Sequence, residues 1–231
     1  MTTTDNASAR PTIAVLGGTG AEGSGLALRW AHADYPVIIG SRNAGKAAQV
    51  CAQIDARLGR AAVSHDSYRG AAASAQIVVL CVPYAAQRGT VEEVRPALEG
   101  KILVDTTVPL VPPKVARVQL PEGGSAVAAI QDLLGESVRV VSAFQNVAAH
   151  LLQDLGHEVE CDVLVCGDDV PARETVIKLA RDIGLRGIHA GPIANSAAAE
   201  ALTSVLIAIN SRYKIHGGAG IRITRLPAAE H

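Results

Sequence analysis

The sequence predicts an α/β protein: a doubly wound parallel sheet followed by a small C-terminal α/β subdomain. Three observations carry this. Short apolar runs of strand length alternate with longer stretches of helical period, the rhythm of βαβ units. The runs are continuously apolar rather than alternating, as strands covered on both faces are. A glycine-rich turn follows the first run and opens the first helix.

Thr12–Gly17 (TIAVLG) is the first strand, and Gly20–Ala33 carries Leu26, Leu28 and Trp30 at helical spacing. Pro36–Gly40 (PVIIG) is the next strand and Asn43–Leu58 the next helix; Ala61–Ser64 is a weaker strand. Gln76–Pro83 (QIVVLCVP) is a strong strand stopped by its proline. Ala85–Leu98 reads as helix, Lys101–Asp105 (KILVD) and Val138–Ala143 (VRVVSA) as strands. Between these two, Thr106–Gly124 is rich in proline and ends in Gly-Gly, an ordered loop across the sheet edge. Further on, a strand (Asp162–Cys166), a helix (Val170–Ile183) and a strand (Gly187–Gly191) are expected, then a long helix (Asn195–His216) and a last strand (Ile221–Leu226). The expected division is a disordered tail at 1–11, a nucleotide-binding domain at 12–153 and a C-terminal subdomain at 154–231.

The composition narrows the function. Of 231 residues, 48% are hydrophobic and 19% charged, which excludes a disordered chain. A net charge of -1 offers no field for a nucleic-acid backbone, and 3% aromatics leaves few rings to stack bases on. No apolar run nears eighteen residues, so no membrane span is expected. The polar start lacks the apolar segment of a secretory signal. Cys51, Cys81, Cys161 and Cys166 have no CxxC spacing and no metal-site pattern. They read as structural thiols in a reducing cytoplasm. The expected partners are therefore small molecules.

Gly17-Gly18-Thr19-Gly20-Ala21-Glu22-Gly23 contains G-x-G-x-x-G at Gly18, Gly20 and Gly23. In a strand–turn–helix context this is the Rossmann-type dinucleotide fingerprint. Gly18 would allow the tight turn, Gly20 the approach of a pyrophosphate, and Gly23 close packing of helix on strand. The second strand ends in Gly40-Ser41-Arg42, with Lys46 one turn further and no acidic residue in the stretch. An Asp or Glu there would hold a ribose 2′-OH; a hydroxyl, a guanidinium fork and an ammonium suit a 2′-phosphate instead. Cations at a helix N-terminus oppose its dipole, which a bound anion relieves. NADP is thus expected over NAD.

With GGTGAEGSGLALRWA (Gly17–Ala31), IIGSR (Ile38–Arg42), CGDD (Cys166–Asp169) and GLRGIHAGPIANS (Gly184–Ser196), the chain resembles the NADPH:coenzyme F420 oxidoreductases from Thr12 to Leu226. The last two motifs carry most of the specificity. The resemblance implies hydride exchange between NADP(H) and the deazaflavin coenzyme F420. It implies an NADP site made by Thr19–Glu22, Ser41, Arg42 and Lys46, with Val82, Pro83 and Ala86 along the cofactor. Ala149 and Ala219 would approach the nicotinamide–deazaflavin region, with Asn195 and Ser196 near that pocket. Gln145 stands where several members have histidine, and with Asn146 it would orient the acceptor ring by neutral hydrogen bonds.

Hydride transfer needs no nucleophile, so no catalytic residue and no metal are expected; the protein supplies proximity and orientation. His150, His189 and His216 read as structural or solvated, and Asp168 and Asp169 as helix-capping. Apolar residues on more than one face of the Asn195–His216 helix suggest burial in a symmetric homodimer. Two further readings are an NADPH reductase of another acceptor, such as a flavin or imine, and a non-catalytic NADP-sensing dimer.

Overall fold

The computed structural model describes residues 10–156 and 158–226. Residues 1–9, most of the expected tail, lie outside them. Arg10, expected in that tail, instead pairs with Asp182 at 3.3 Å and stacks over the Tyr35 ring.

Eight strands form one sheet in the order β3-β2-β1-β4-β5-β6-β7-β8. They are β1 (Ile13–Leu16), β2 (Val37–Gly40), β3 (Val63–Asp66), β4 (Ile77–Leu80), β5 (Ile102–Asp105), β6 (Arg139–Ser142), β7 (Asp162–Cys166) and β8 (Arg186–Gly191). The first six are parallel, in registers such as Ile13 with Val37 and with Ile77. Every residue of β1, β4 and β5 is buried, which is why these runs are apolar except for Asp105 at the end of β5. The edge strand β3 is mostly exposed and correspondingly polar.

Two findings differ from the expectation beyond residue 153. The segment does not stand apart: β7 and β8 extend the same sheet, and one apolar core runs from Ile13 and Leu26 to Val176 and Leu179. In addition, β7 runs antiparallel to β6. The expected last strand, Ile221–Leu226, is irregular chain. Its Ile223 N–H bonds the side chain of Asp162, and Ile221 O accepts from Asp162 N, so it is tied to β7 without a ladder.

Helices α1 (Ala21–His32), α2 (Ala44–Leu58) and α7 (Val170–Arg181) bury apolar residues on one face of the sheet. On the other lie α3 (Tyr68–Ser74), α4 (Tyr84–Val94) and α5 (Ala126–Leu134). The short α3 and α5 were not expected; each is started by a serine, Ser67 and Ser125, whose side chain accepts from the first turn. Asp169 caps α7 in the expected way, accepting from Ala172 N, while Asp168 accepts from Ile193 N.

After the short α6 (Ala149–Leu152), α8 (Ser196–Tyr213) is the long helix. Residues Ile193–Tyr213 are, by length and composition, apolar enough to cross a membrane, contrary to expectation. Yet the face α8 buries is partly polar. Glu200 accepts from Ser125 Oγ and from the N–H groups of Ala126 and Val127. This buried carboxylate satisfies the N-terminus of α5, as the dipole favours. The opposite face stays open, with Val205 42% exposed.

Candidate functional site

Both halves of a parallel α/β sheet deliver their loops to the carboxyl edge, where the strand order reverses between β1 and β4. The glycine turn sits there. Gly17 has φ +80, and a Cβ on it would lie 2.3 Å from Cys81 O. The left-handed position is Gly17; Gly18, expected to allow the tight turn, is not among the positive-φ glycines. Gly18 is glycine for a different reason: its Cβ would meet Val15 O at 2.9 Å and the Ile39 side chain. A Cβ on Gly23 would press on Gly17 O at 2.8 Å and Gly18 Cα at 2.9 Å, so α1 packs directly on the turn. At Gly20 the only neighbour is Gly17 O at 3.4 Å, which leaves the outer side open.

A cavity of about 690 Å3 opens from this turn. Gly20, Ala21, Glu22 and Gly23 form one end; Val82, Pro83, Tyr84 and Ala85 lie along it after β4. Thr106 and Thr107 follow β5, and Gln145 and Val147 follow β6. The proline-rich Thr106–Gly124 segment is the roof, through Val108, Leu110, Pro112 and Val115. Two helices begin at this cavity, α1 after Gly20 and α4 after Pro83, and neither has a side-chain cap. Within these first turns Ser24 N donates to Gly20 O and Ala86 N to Pro83 O, and no side chain accepts from either turn, an arrangement suited to an anion.

The carboxylates here are unusual. Asp105 is wholly buried, and burial pushes its pKa up to about 6 against the opposing effects of Thr107 and Gln87. Gln87 Nε2 donates to it at 2.6 Å and Thr107 N at 2.9 Å. Residue Glu22 retains some exposed surface, yet its carboxyl is enclosed beside Thr106 and Asp105. Burial pushes it up to about 8, so it carries a proton at neutral pH. The adjoining Cys81 thiol is raised well above its ordinary value, by burial and then by Glu22.

Ser41, Arg42 and Lys46 flank the cavity rather than line it. Gly17 N donates to Gly40 O at 3.2 Å, so the end of β2 abuts the glycine turn. Ser41 Oγ is bonded within its own loop, to Asn43 O and N. The Arg42 and Lys46 side chains are exposed and, among the described residues, have no ion-pair partner. Thr19 is half-buried in the turn, and Ala86 is half-buried against the core beneath α4.

The remaining expected residues do not converge on one pocket. Gln145 lines the main cavity, but Asn146 is turned away, donating to Ala199 O at 2.9 Å and to Thr203 Oγ1. Ala219 lines a separate cavity of about 450 Å3 with Ala148, Gly217, Gly218 and Gly220; Ala149 starts α6 beside it. Asn195 and Ser196 are placed at neither. Asn195 Nδ2 donates to Ala190 O, and Ser196 is fully buried, 2.5 Å from Ser125 Oγ. Their motif serves the α8–α5 junction. Sequence reading missed Asp105, Thr107, Gln87 and Thr203 as parts of the site. The available signal was a carboxylate ending an otherwise apolar strand, followed by two threonines.

Fold and site together define a Rossmann-type nucleotide-binding protein of the oxidoreductase class. A family model described as "NADP oxidoreductase coenzyme F420-dependent" matches residues 12–109. The F420-dependent NADP reductase of Methanocaldococcus jannaschii is 41% identical over 222 residues, 93% of this chain and 98% of that protein. That of Methanothermobacter thermautotrophicus is 41% identical over 94% of this chain and 97% of its own. A crystal structure from Arthrobacter sp. FB24, with a provisional F420-dependent NADP reductase assignment, is 26% identical with a TM-score of 0.79. It covers 93% of this chain and all of that one. The chain belongs to the F420-dependent NADP reductase family.

Proposed function

We propose that this protein transfers a hydride between NADP(H) and coenzyme F420, with the main cavity as its dinucleotide site. The observation that carries this is the continuous cavity from the open side of Gly20 to Gln145, flanked by Arg42 and Lys46, which have no ion-pair partner among the described residues. NADP(H) supplies the hydride carrier when bound. The chain's part is to bind, orient and exclude water. The uncapped starts of α1 and α4 take the diphosphate, and Ser41, Arg42 and Lys46 the 2′-phosphate. Val108, Leu110, Pro112 and Val115 roof the ring half with apolar surface. A protonated Glu22 keeps negative charge away from the phosphates. Ala149 and Ala219, at the smaller cavity, are the small residues beside which the acceptor is expected.

The open face of α8 favours a homodimer. Val205, Tyr213, Ile215, Ile223 and Leu226 are exposed apolar or aromatic residues clustered on α8 and the segment after it. Four free thiols fit a reducing cytoplasm.

The deciding experiment is NADPH oxidation by the purified protein with F420, FMN or FAD as sole acceptor. Turnover with F420 and colourless protein are expected. Efficient reduction of FMN with F420 untouched, or tightly retained FAD, would overturn the reading.

A further inference from the structure

Gln145 holds one buried polar atom that nothing among the described residues satisfies. Its side chain is 95% covered. Nε2 donates to Asp105 O at 2.8 Å and to Ser142 Oγ at 2.9 Å. A backbone carbonyl only accepts, so the amide cannot be turned over without placing oxygen against oxygen. Oε1 is therefore fixed opposite these two bonds, buried and with no hydrogen-bond partner among the described residues. Thr107 Oγ1 shares this condition on the same cavity wall. Its hydroxyl lies near enough to the Asp105 carboxylate to hold that group's pKa down, without hydrogen-bond geometry to it.

The backbone also bears a cost to aim this residue. Phe144, immediately before it, has φ +74, a left-handed conformation for a non-glycine residue. The Phe144 ring is anchored edge-on against Trp30, with centroids 5.8 Å apart. Gln145 O accepts from Thr203 Oγ1 at 2.9 Å, so the main chain is held from α8 as well.

Two buried acceptors without donors call for a ligand group that donates twice. Their position says which part of the dinucleotide arrives there. The 2′-phosphate residues follow β2, and the glycine turn follows β1. The cavity then runs past β4 and β5 to Gln145 after β6. The end distal to the 2′-phosphate is the nicotinamide, whose carboxamide offers two N–H groups.

We infer that Gln145 is a positioning residue for the nicotinamide ring: Oε1 accepts one carboxamide N–H, and Thr107 Oγ1 accepts the other. This rests on the reading of the cavity as the NADP site. It differs from the expectation that Gln145 orients the acceptor ring, because Gln145 lines the same continuous cavity as the glycine turn.

The test compares the Kd of NADP with that of its 3-acetylpyridine analogue, in which a methyl group replaces the amide NH2. Calorimetry on wild type, Gln145→Met and Thr107→Val gives the ratio. A buried acceptor left unpaired weakens binding by roughly five- to a hundredfold, so wild type should discriminate by that factor. Gln145→Met and Thr107→Val should each lower the ratio partway, because each removes one of the two acceptors. Thr107→Val keeps its backbone bond to Asp105, and it decides the matter alone if Gln145→Met does not fold. A wild-type ratio near one, or a ratio in both variants unchanged from wild type, overturns the inference while leaving the NADP site standing. So does a Gln145→Met protein that loses F420 affinity but keeps the nucleotide ratio. Failure of wild type to bind NADP at all overturns the site reading as well.

Discussion

Glu22 should make NADP affinity fall in alkaline solution, and Glu22→Gln should abolish that fall. The carboxyl is enclosed at the phosphate end of the cavity, and burial raises its pKa to about 8. Ionised, it would set a negative charge beside an incoming diphosphate in a poorly screened site. If only the protonated form accepts the nucleotide, Kd follows the protonated fraction. That fraction is about nine-tenths at pH 7 and about one-tenth at pH 9, a weakening of roughly tenfold. The neighbouring groups do not imitate this. Asp105, at about 6, is already ionised, and the Cys81 thiol is held well above its usual range. Glu22→Gln is close to isosteric with the protonated acid, so its Kd should match wild type near pH 6.5 and stay level to pH 9. Calorimetric titration at four pH values provides the measurement. Parallel curves for the two proteins, or a wild-type curve without slope, would refute the reasoning. The sign for stability follows from the same shift. The unfolded chain ionises near 4.5 and the folded chain near 8, so this residue's contribution falls as pH rises between them. Glu22→Gln should lack that part of the decline in Tm.

Arg42→Ala should weaken NADP binding by roughly ten- to a hundredfold and NAD binding far less, since it removes a charge-assisted hydrogen bond available only to the 2′-phosphate; equal losses would show that Arg42 does not touch that group. Gly17→Ala puts a Cβ 2.3 Å from Cys81 O at φ +80, and should lower Tm by roughly 4–10 °C; an unchanged melting curve would mean the turn relaxes freely. Light scattering at micromolar concentration should report a dimer, and Val205→Asp, on the open face of α8, should shift it toward monomer; a wild-type monomer would remove that proposal.

Much of the nucleotide-binding half was legible because its signals are local. Each apolar run of β1 and β4 encodes burial on both faces in four adjacent residues, and β5 does so in three before Asp105. The glycine turn encodes its own backbone, although the sequence could not say that Gly17 rather than Gly18 takes the left-handed position. Nor could it say that a Cβ at Gly17 would meet Cys81 O, which arrives from a different strand. Asn43 and Asp169 announce their helices because a capping side chain bonds amides only three residues on.

The rest was decided at long range. Whether β7 and β8 form a separate unit or extend the sheet depends on pairing with β6, and the strand residues read the same in either case. Asn195 and Ser196 looked like site residues by motif, but packing closed Ser196 against Ser125 and Glu200 and left the pocket to Gln145. The same Gln145 and Asn146, adjacent in sequence, were sent to opposite tasks by a backbone turn at Phe144. Glu22 is an ordinary first-turn glutamate by sequence; its raised pKa comes from burial in the fold and then from the nearby Asp105, against a Thr106 hydrogen bond that lowers it. Hydrophobic period, turn and cap are properties of neighbours along the chain, so the sequence alone determined the elements and the dinucleotide fingerprint. Burial of a polar atom and the pKa of a carboxyl are properties of neighbours in space, so only the tertiary structure decided which residues the site contains.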